Sequence, residues 1–187
     1  MRFKSLIVTF YLLFFTYYLL SAQGTHELLL NKKLQKDIIE NTREFDSLVC
    51  IDISGYWRDE GLLRGIGYKQ GDVYRVVISF VDSGNNHQVD RIIKRRIKDA
   101  SKSDSVKTMN YQQLFTASND SLELKSRKPG EEYIIDDASY WTIAGIYPAK
   151  NRFIIKQVYA LSFYQYTSEQ KLMKGIITEL NSLIGKE

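Results

Sequence analysis

The stretch SLVCIDISGYWRDEGLLRGIGYKQGDVYRVVISFV, residues 47–81, decides the fold, because its apolar runs are separated by glycine-containing turns. Its last run alternates with a period of two, which puts four apolar residues on one side: Tyr74, Val76, Ile78 and Phe80. Arg75 and Ser79 fall on the other side. A half-buried strand has this pattern, so the stretch predicts an antiparallel sheet whose apolar face is covered by helices.

The rest of the chain adds further strands to this sheet. Within the stretch, strands are expected at 48–53, 62–68 and 73–81, and the last two form a hairpin through residues 69–72. Two more hairpins are expected, one from 122–125 and 133–135 around Pro129 and Gly130, the other from 140–147 and 152–164 around Pro148.

Three helices are expected, and they complete an α+β domain. An N-terminal helix over 27–44 has Leu30, Leu34 and Ile38 on one face, with Thr25 as a possible cap. A middle helix runs from Ser103 or Asp104 to about Ala117. The C-terminal helix starts at a capping box and repeats apolar residues at helical intervals: Thr167 and Gln170, then Leu172, Met173, Ile176, Ile177, Leu180, Leu183 and Ile184. This order predicts helices packed on one face of the sheet.

Residues 1–22 have the layout of a secretory signal peptide. Arg2 and Lys4 precede an apolar run, 6–20, and small residues follow it, which predicts cleavage between Ala22 and Gln23. The run spans only about 22 Å as a helix, short of the ~30 Å hydrocarbon core of a bilayer. We therefore expect a mature single domain, 23–187, outside the cytoplasm, either periplasmic or secreted, of a bacterial-type cell.

Charge and cysteine content narrow the classes of function. The chain has 26 basic and 22 acidic residues, and cleavage removes Arg2 and Lys4 but no acid. The remaining net charge of about +2 and the predicted export both argue against nucleic acid as a partner. Cys50 is the only cysteine, which rules out an intramolecular disulfide, and its place in an apolar run predicts a small buried side chain.

The segment VDRIIKRRIK, 89–98, is the strongest candidate for a binding surface, and its period fits two structures. As a helix it has four of its five basic residues on one face. As a strand it would be an edge strand, protected by lysine and arginine from pairing with other chains, and a hairpin partner for 73–81. The five are Arg91, Lys94, Arg95, Arg96 and Lys98. Either structure leaves a positive field that could bind an anion. The same field could instead be neutralised by the chain's own acids: Glu131, Glu132, Asp136 and Asp137.

Other motifs are weaker. Trp57 and Trp141 could stack on a ligand, although aromatic residues also fill cores. The glycines at 65, 67 and 71 lead into a strand and not a helix, which indicates turns and close packing instead of a phosphate loop. His26 and His87 lack a second ligand at metal spacing, so neither a metal nor a cofactor is expected.

These observations favour a non-enzymatic binding or scaffolding protein of the cell envelope. Its partner would be an unidentified protein, an anionic envelope lipid or an acidic polysaccharide. The alternative is a small exported hydrolase, which would use carboxylates that the fold brings together. Its candidate acids are Asp59, Glu60, Glu131, Glu132, Asp136 and Asp137.

Overall fold

The computed structural model describes residues 29–54, 60–83, 86–99, 104, 109–118, 122, 140–159 and 167–184. Its helices are α1 (Lys32–Asn41), α2 (Tyr111–Thr116) and α3 (Ser168–Ile184). Its strands are β1 (Ser47–Ser54), β2 (Glu60–Lys69), β3 (Asp72–Ser83), β4 (Asn86–Arg96), β5 (Tyr140–Tyr147) and β6 (Arg152–Tyr159). The strands form one antiparallel sheet in the order β4-β3-β2-β1-β5-β6, which confirms the α+β class and the antiparallel sheet.

The predicted hairpin between β2 and β3 closes through a two-residue turn. Gln70 and Gly71 have φ angles of 51° and 85°, as a type I′ turn requires at both central positions. Lys69 pairs with Asp72 directly beside the turn, and the ladder continues to the pair of Glu60 and Val81. The turn therefore sets the register of the two strands.

Strand β4 resolves the ambiguous segment, since residues up to Arg96 pair with β3 as an edge strand. Ser79 pairs with Arg91 and Phe80 with Val89, so Asp90 is an extra residue in a β-bulge. The bulge puts Val89 and Ile92 on the same face although they are three residues apart. On the α1 side, a carboxylate oxygen of Asp37 accepts a hydrogen bond from the Val89 N–H at 2.7 Å.

The helices cover both faces of the sheet, so the expectation that they share one face is wrong. Leu48 and Cys50 lie in a core with α1, whereas Val49 and Ile51 lie in a core with α2 and α3. The physical reason lies in residues 48–51 of β1. An uninterrupted apolar strand is buried on both sides, so helices must cover each side of the sheet. We name the two sides the α1 face and the α3 face.

Helix α1 is shorter than expected because Asn31 starts it. The Asn31 side chain accepts hydrogen bonds from the N–H groups of Lys33 at 2.9 Å and of Leu34 at 3.4 Å. Thr25 is therefore not the cap, and Leu30 lies before the helix with 55% of its surface exposed. The buried helix side is formed by Leu34, Gln35, Ile38 and Ile39.

Helix α3 forms as predicted. The Gln170 N–H donates to Thr167 Oγ1 at 3.0 Å, and the Thr167 N–H donates to Gln170 Oε1 at 3.2 Å, which is a reciprocal capping box. Leu180 and Ile177 are fully buried on the α3 face. In the region of the expected middle helix, Asp104 is helical but Met109 and Asn110 are not, and α2 starts after Asn110, whose side chain caps it.

Several predicted features fall outside the part of the chain that the structure describes. They include the signal peptide and most of the hairpin from 122–125 and 133–135, of which Leu122 is described as helical and buried. Among the described helices, none is long and apolar enough to span a membrane.

Candidate anion-binding groove

The alternation of β4 divides its basic residues between the two faces of the sheet. Lys94 pairs with Val76, a core residue of the α1 face, and Arg96 pairs with Tyr74 on the same face. Arg91 and Arg95 point to the α3 face, where their partners are Ser79 and Arg75. The segment is thus not one cationic surface, and its two sides have different surroundings.

On the α1 face the basic side chains meet carboxylates. Glu44, which follows α1, accepts hydrogen bonds from Lys69 Nζ at 2.8 Å and from Lys94 Nζ. These two ammonium groups, Lys69 first and then Lys94, lower the pKa of the Glu44 carboxyl. Arg96 donates to Asp72 at 2.5 Å. The positive charge of this face is therefore largely neutralised by the chain itself.

The α3 face carries an open groove of about 240 Å³ over β2, β3 and β4. Four aliphatic and three arginine side chains line it: Leu62, Val77, Ile93, Ile184, Arg64, Arg75 and Arg95. Ile184 comes from the last turn of α3, and the other residues come from the three strands. Ile93 is 43% exposed, which is unusual for an isoleucine in a strand.

Strand register brings the three arginines of the groove together. Arg75 stands directly opposite Arg95, and Arg64 stands opposite Val77, one step of the alternation away from Arg75. Directly opposed residues have Cβ atoms about 4.5–5.5 Å apart, and like charges at that spacing destabilise a sheet. Within the described ranges, none of the three takes part in an ion pair.

This arrangement can bind an anion. Each guanidinium presents a planar fork of N–H donors that matches a carboxylate or phosphate group. An anion between Arg75 and Arg95 would replace their repulsion by two attractions. A ligand that covers the aliphatic lining would exclude water beside the arginines, and electrostatic attraction strengthens where water is excluded.

Of the binding residues proposed from the sequence that the structure describes, only Arg95 lines the groove. Arg91 lies on the same face, and Lys98 is exposed beyond the end of β4. Trp141 is half-buried on β5 and packs against the core of the α3 face, with three strands between it and β4. Trp57 and the acidic residues at 131–137 lie outside the described residues.

Sequence reasoning missed Arg64 and the place of Arg75 in a site. Arg75 has a signal in the sequence, because it lies on the polar side of an alternating strand, whereas Arg64 alternates with the apolar residues Leu62 and Ile66 and has none. Only the register that aligns β2, β3 and β4 shows that these arginines lie next to one another.

Two other chemistries have little support in the described part of the chain. Cys50 is fully buried, and burial raises the pKa of its thiol to about 12, so it is a packing residue as predicted. The described side chains contain no group of three or more residues that could hold a metal ion. The side chains of the acids considered for hydrolysis are not among those described.

Comparisons with protein-family models, with curated proteins and with solved structures yield no match to this chain.

Proposed function

We propose that this protein is an exported, non-enzymatic binding protein of a bacterial-type envelope, and that it binds an anionic ligand in the groove on the α3 face. The observation that carries the proposal is the opposition of Arg75 and Arg95 beside Arg64, with no ion pair to any of them from a described residue. The proposed location rests on the leader sequence, 1–22.

The other face of the same strands supports this reading. There, Lys94 contacts Glu44 and Arg96 contacts Asp72, so basic residues of the same strand are paired with acids on that face. On the α3 face the two arginines are aligned with each other instead. Natural proteins retain locally unfavourable arrangements mainly at functional sites, where a ligand relieves them.

The test measures salt-dependent retention of the exported protein on an anionic matrix. Replacing Arg64, Arg75 and Arg95 together by Gln should abolish retention, and retention of the wild type should fall as salt shortens the Debye length. The matched control replaces three exposed lysines elsewhere by Gln, at Lys36, Lys150 and Lys171, which removes the same net charge. Equal loss of retention in both variants would show that net charge and not the groove is responsible.

Substituting Lys94 and Arg96 is a poor test of the groove. Their replacement leaves Asp72 without its basic partner and Glu44 with Lys69 alone, and so adds exposed negative charge to the α1 face.

A further inference from the structure

We infer that the ligand is an anionic lipid at a membrane surface, with its headgroup between Arg75 and Arg95 and the start of its acyl chain on Val77 and Ile93. This inference rests on the proposed function and names the class of ligand for the same groove. Three features of the groove support it: its lining, the order of charged and apolar groups along the strands, and its size.

The lining favours an acyl chain over a sugar. Among the described residues, the apolar ones that line it are Leu62, Val77, Ile93 and Ile184, all aliphatic. Sugar rings stack best on aromatic faces, whereas a hydrocarbon chain gains from any apolar surface that loses water. An acidic polysaccharide would thus use the arginines but leave the aliphatic surface unused.

The charged and apolar groups follow one another in the order of a lipid. Arg75 and Arg95 form one cross-strand pair, and Val77 and Ile93 form the next pair on the same face. Two residues along a strand correspond to about 7 Å, so an anionic head and the carbons beside it can contact both pairs at once. Arg64, opposite Val77, provides a further cation beside the apolar pair.

The size of the groove favours a lipid that stays in its membrane. Its volume of about 240 Å³ is below the roughly 300–1,000 Å³ of pockets that enclose a small molecule. It is also open, and the exposed Ile93 lies in the edge strand β4. A groove of this kind accommodates a headgroup and the adjoining part of a chain, while the rest of the lipid remains in the bilayer.

The experiment measures binding of the exported protein to sedimented vesicles of phosphatidylcholine, with or without phosphatidylglycerol. Since each arginine near an anionic surface contributes a factor of about five, the three should make binding to the mixed vesicles about a hundredfold tighter. The triple Gln variant at Arg64, Arg75 and Arg95 should lose that preference. The Lys36, Lys150 and Lys171 control should keep most of it.

The apolar half of the inference has its own variant. Ile93→Thr keeps a β-branched residue in the strand and should weaken vesicle binding severalfold, while retention on the anionic matrix stays unchanged. Leu30→Ser, which removes a similarly exposed apolar side chain outside the groove, should leave both unchanged. Thermal unfolding of each variant establishes that it is folded.

Five results would overturn the lipid inference. If the wild type is retained on the matrix but does not bind mixed vesicles, the proposed function stands and lipid is excluded as the ligand. If the wild type is neither retained on the matrix nor bound to the vesicles, both proposals are contradicted. Displacement from vesicles by free glycerol phosphate at the same headgroup concentration would show that the head alone is bound, as would full vesicle binding by Ile93→Thr. Vesicle binding that appears only when Glu131, Glu132, Asp136 and Asp137 are changed to amides would identify this acidic stretch as the occupant of the groove.

Discussion

On the α1 face of β4, Lys94 and Arg96 meet carboxylates, whereas on the α3 face Arg95 meets Arg75. Lys94, Arg95 and Arg96 are consecutive basic residues of one strand, and alternation places them on opposite faces of the sheet. Their surroundings differ because each face is completed by different parts of the chain. A count of basic residues in a segment therefore says little about binding until the partner of each residue is known.

The largest expected effect tests whether both faces are structural cores. Leu180→Ala under α3 and Leu34→Ala under α1 each remove a fully buried side chain, and each should cost about 2–5 kcal/mol of unfolding free energy. Urea denaturation of the two variants provides the measurement. A cost for Leu34→Ala without one for Leu180→Ala would mean that α3 covers the sheet only loosely and that the α3 face serves an external partner.

The second effect concerns the neutralised face. Glu44→Gln removes the carboxylate that holds the basic groups of the α1 face, and it should lower stability by at most about 1 kcal/mol because these groups are partly exposed. Glu40→Gln is the control, because the ion pair of Glu40 with Arg43 is long, at 4.0 Å, and both of its side chains are exposed. Equal small changes in the two variants would show that the Glu44 contacts do not stabilise the fold.

The same contact predicts a pH dependence. The pKa of Glu44 is lowered in the folded protein, so its contribution is fully present above its unfolded pKa of about 4.3 and is lost as the pH falls through the lower folded value. Thermal unfolding between about pH 7 and pH 3 should therefore show the wild type approaching Glu44→Gln at the acidic end. A constant difference across this range would contradict the ion-pair assignment.

The smallest effect has the opposite sign and separates the two faces most clearly. Arg95→Gln relieves the repulsion with Arg75 and should raise the unfolding free energy by about 0.2–0.5 kcal/mol in the absence of ligand. The gain should shrink near 1 M salt, where the Debye length is about 3 Å. Arg91→Gln is the matched control on the same strand and face, since Arg91 stands opposite Ser79. A loss of stability in Arg95→Gln would mean that this arginine has a stabilising partner.

Much of the fold could be predicted from local patterns. The hairpin through Gln70 and Gly71 depends on turn chemistry within four residues, and the capping box of α3 depends on Thr167 and Gln170. The alternation in β3 correctly separates Ile78 from Arg75. Each of these features is decided by residues that are close together in the chain.

The remaining features depend on residues that are far apart. The bulge at Asp90 gives β4 an apolar spacing of three, which resembles a helix and left the segment ambiguous. The contact of Lys94 with Glu44 joins residues 50 apart in the chain. The groove likewise requires the register of three strands, so the sequence identifies Arg95 as a candidate but does not place it beside Arg64 and Arg75.

Strand β1 has one neighbour that follows it closely in the chain and another that does not. Its partner β2 is the next strand in the chain, but its other partner, β5, lies much further along the chain, with Ser54 paired to Tyr140. Because loop closure slows the formation of distant pairs, we expect β1 to β4 to fold first and β5 to add last. Pulsed hydrogen exchange should protect amides in β2 and β3 before those in β5. Until β5 arrives, newly made chains expose the long edge of β1, and in that interval they are most prone to pair with one another.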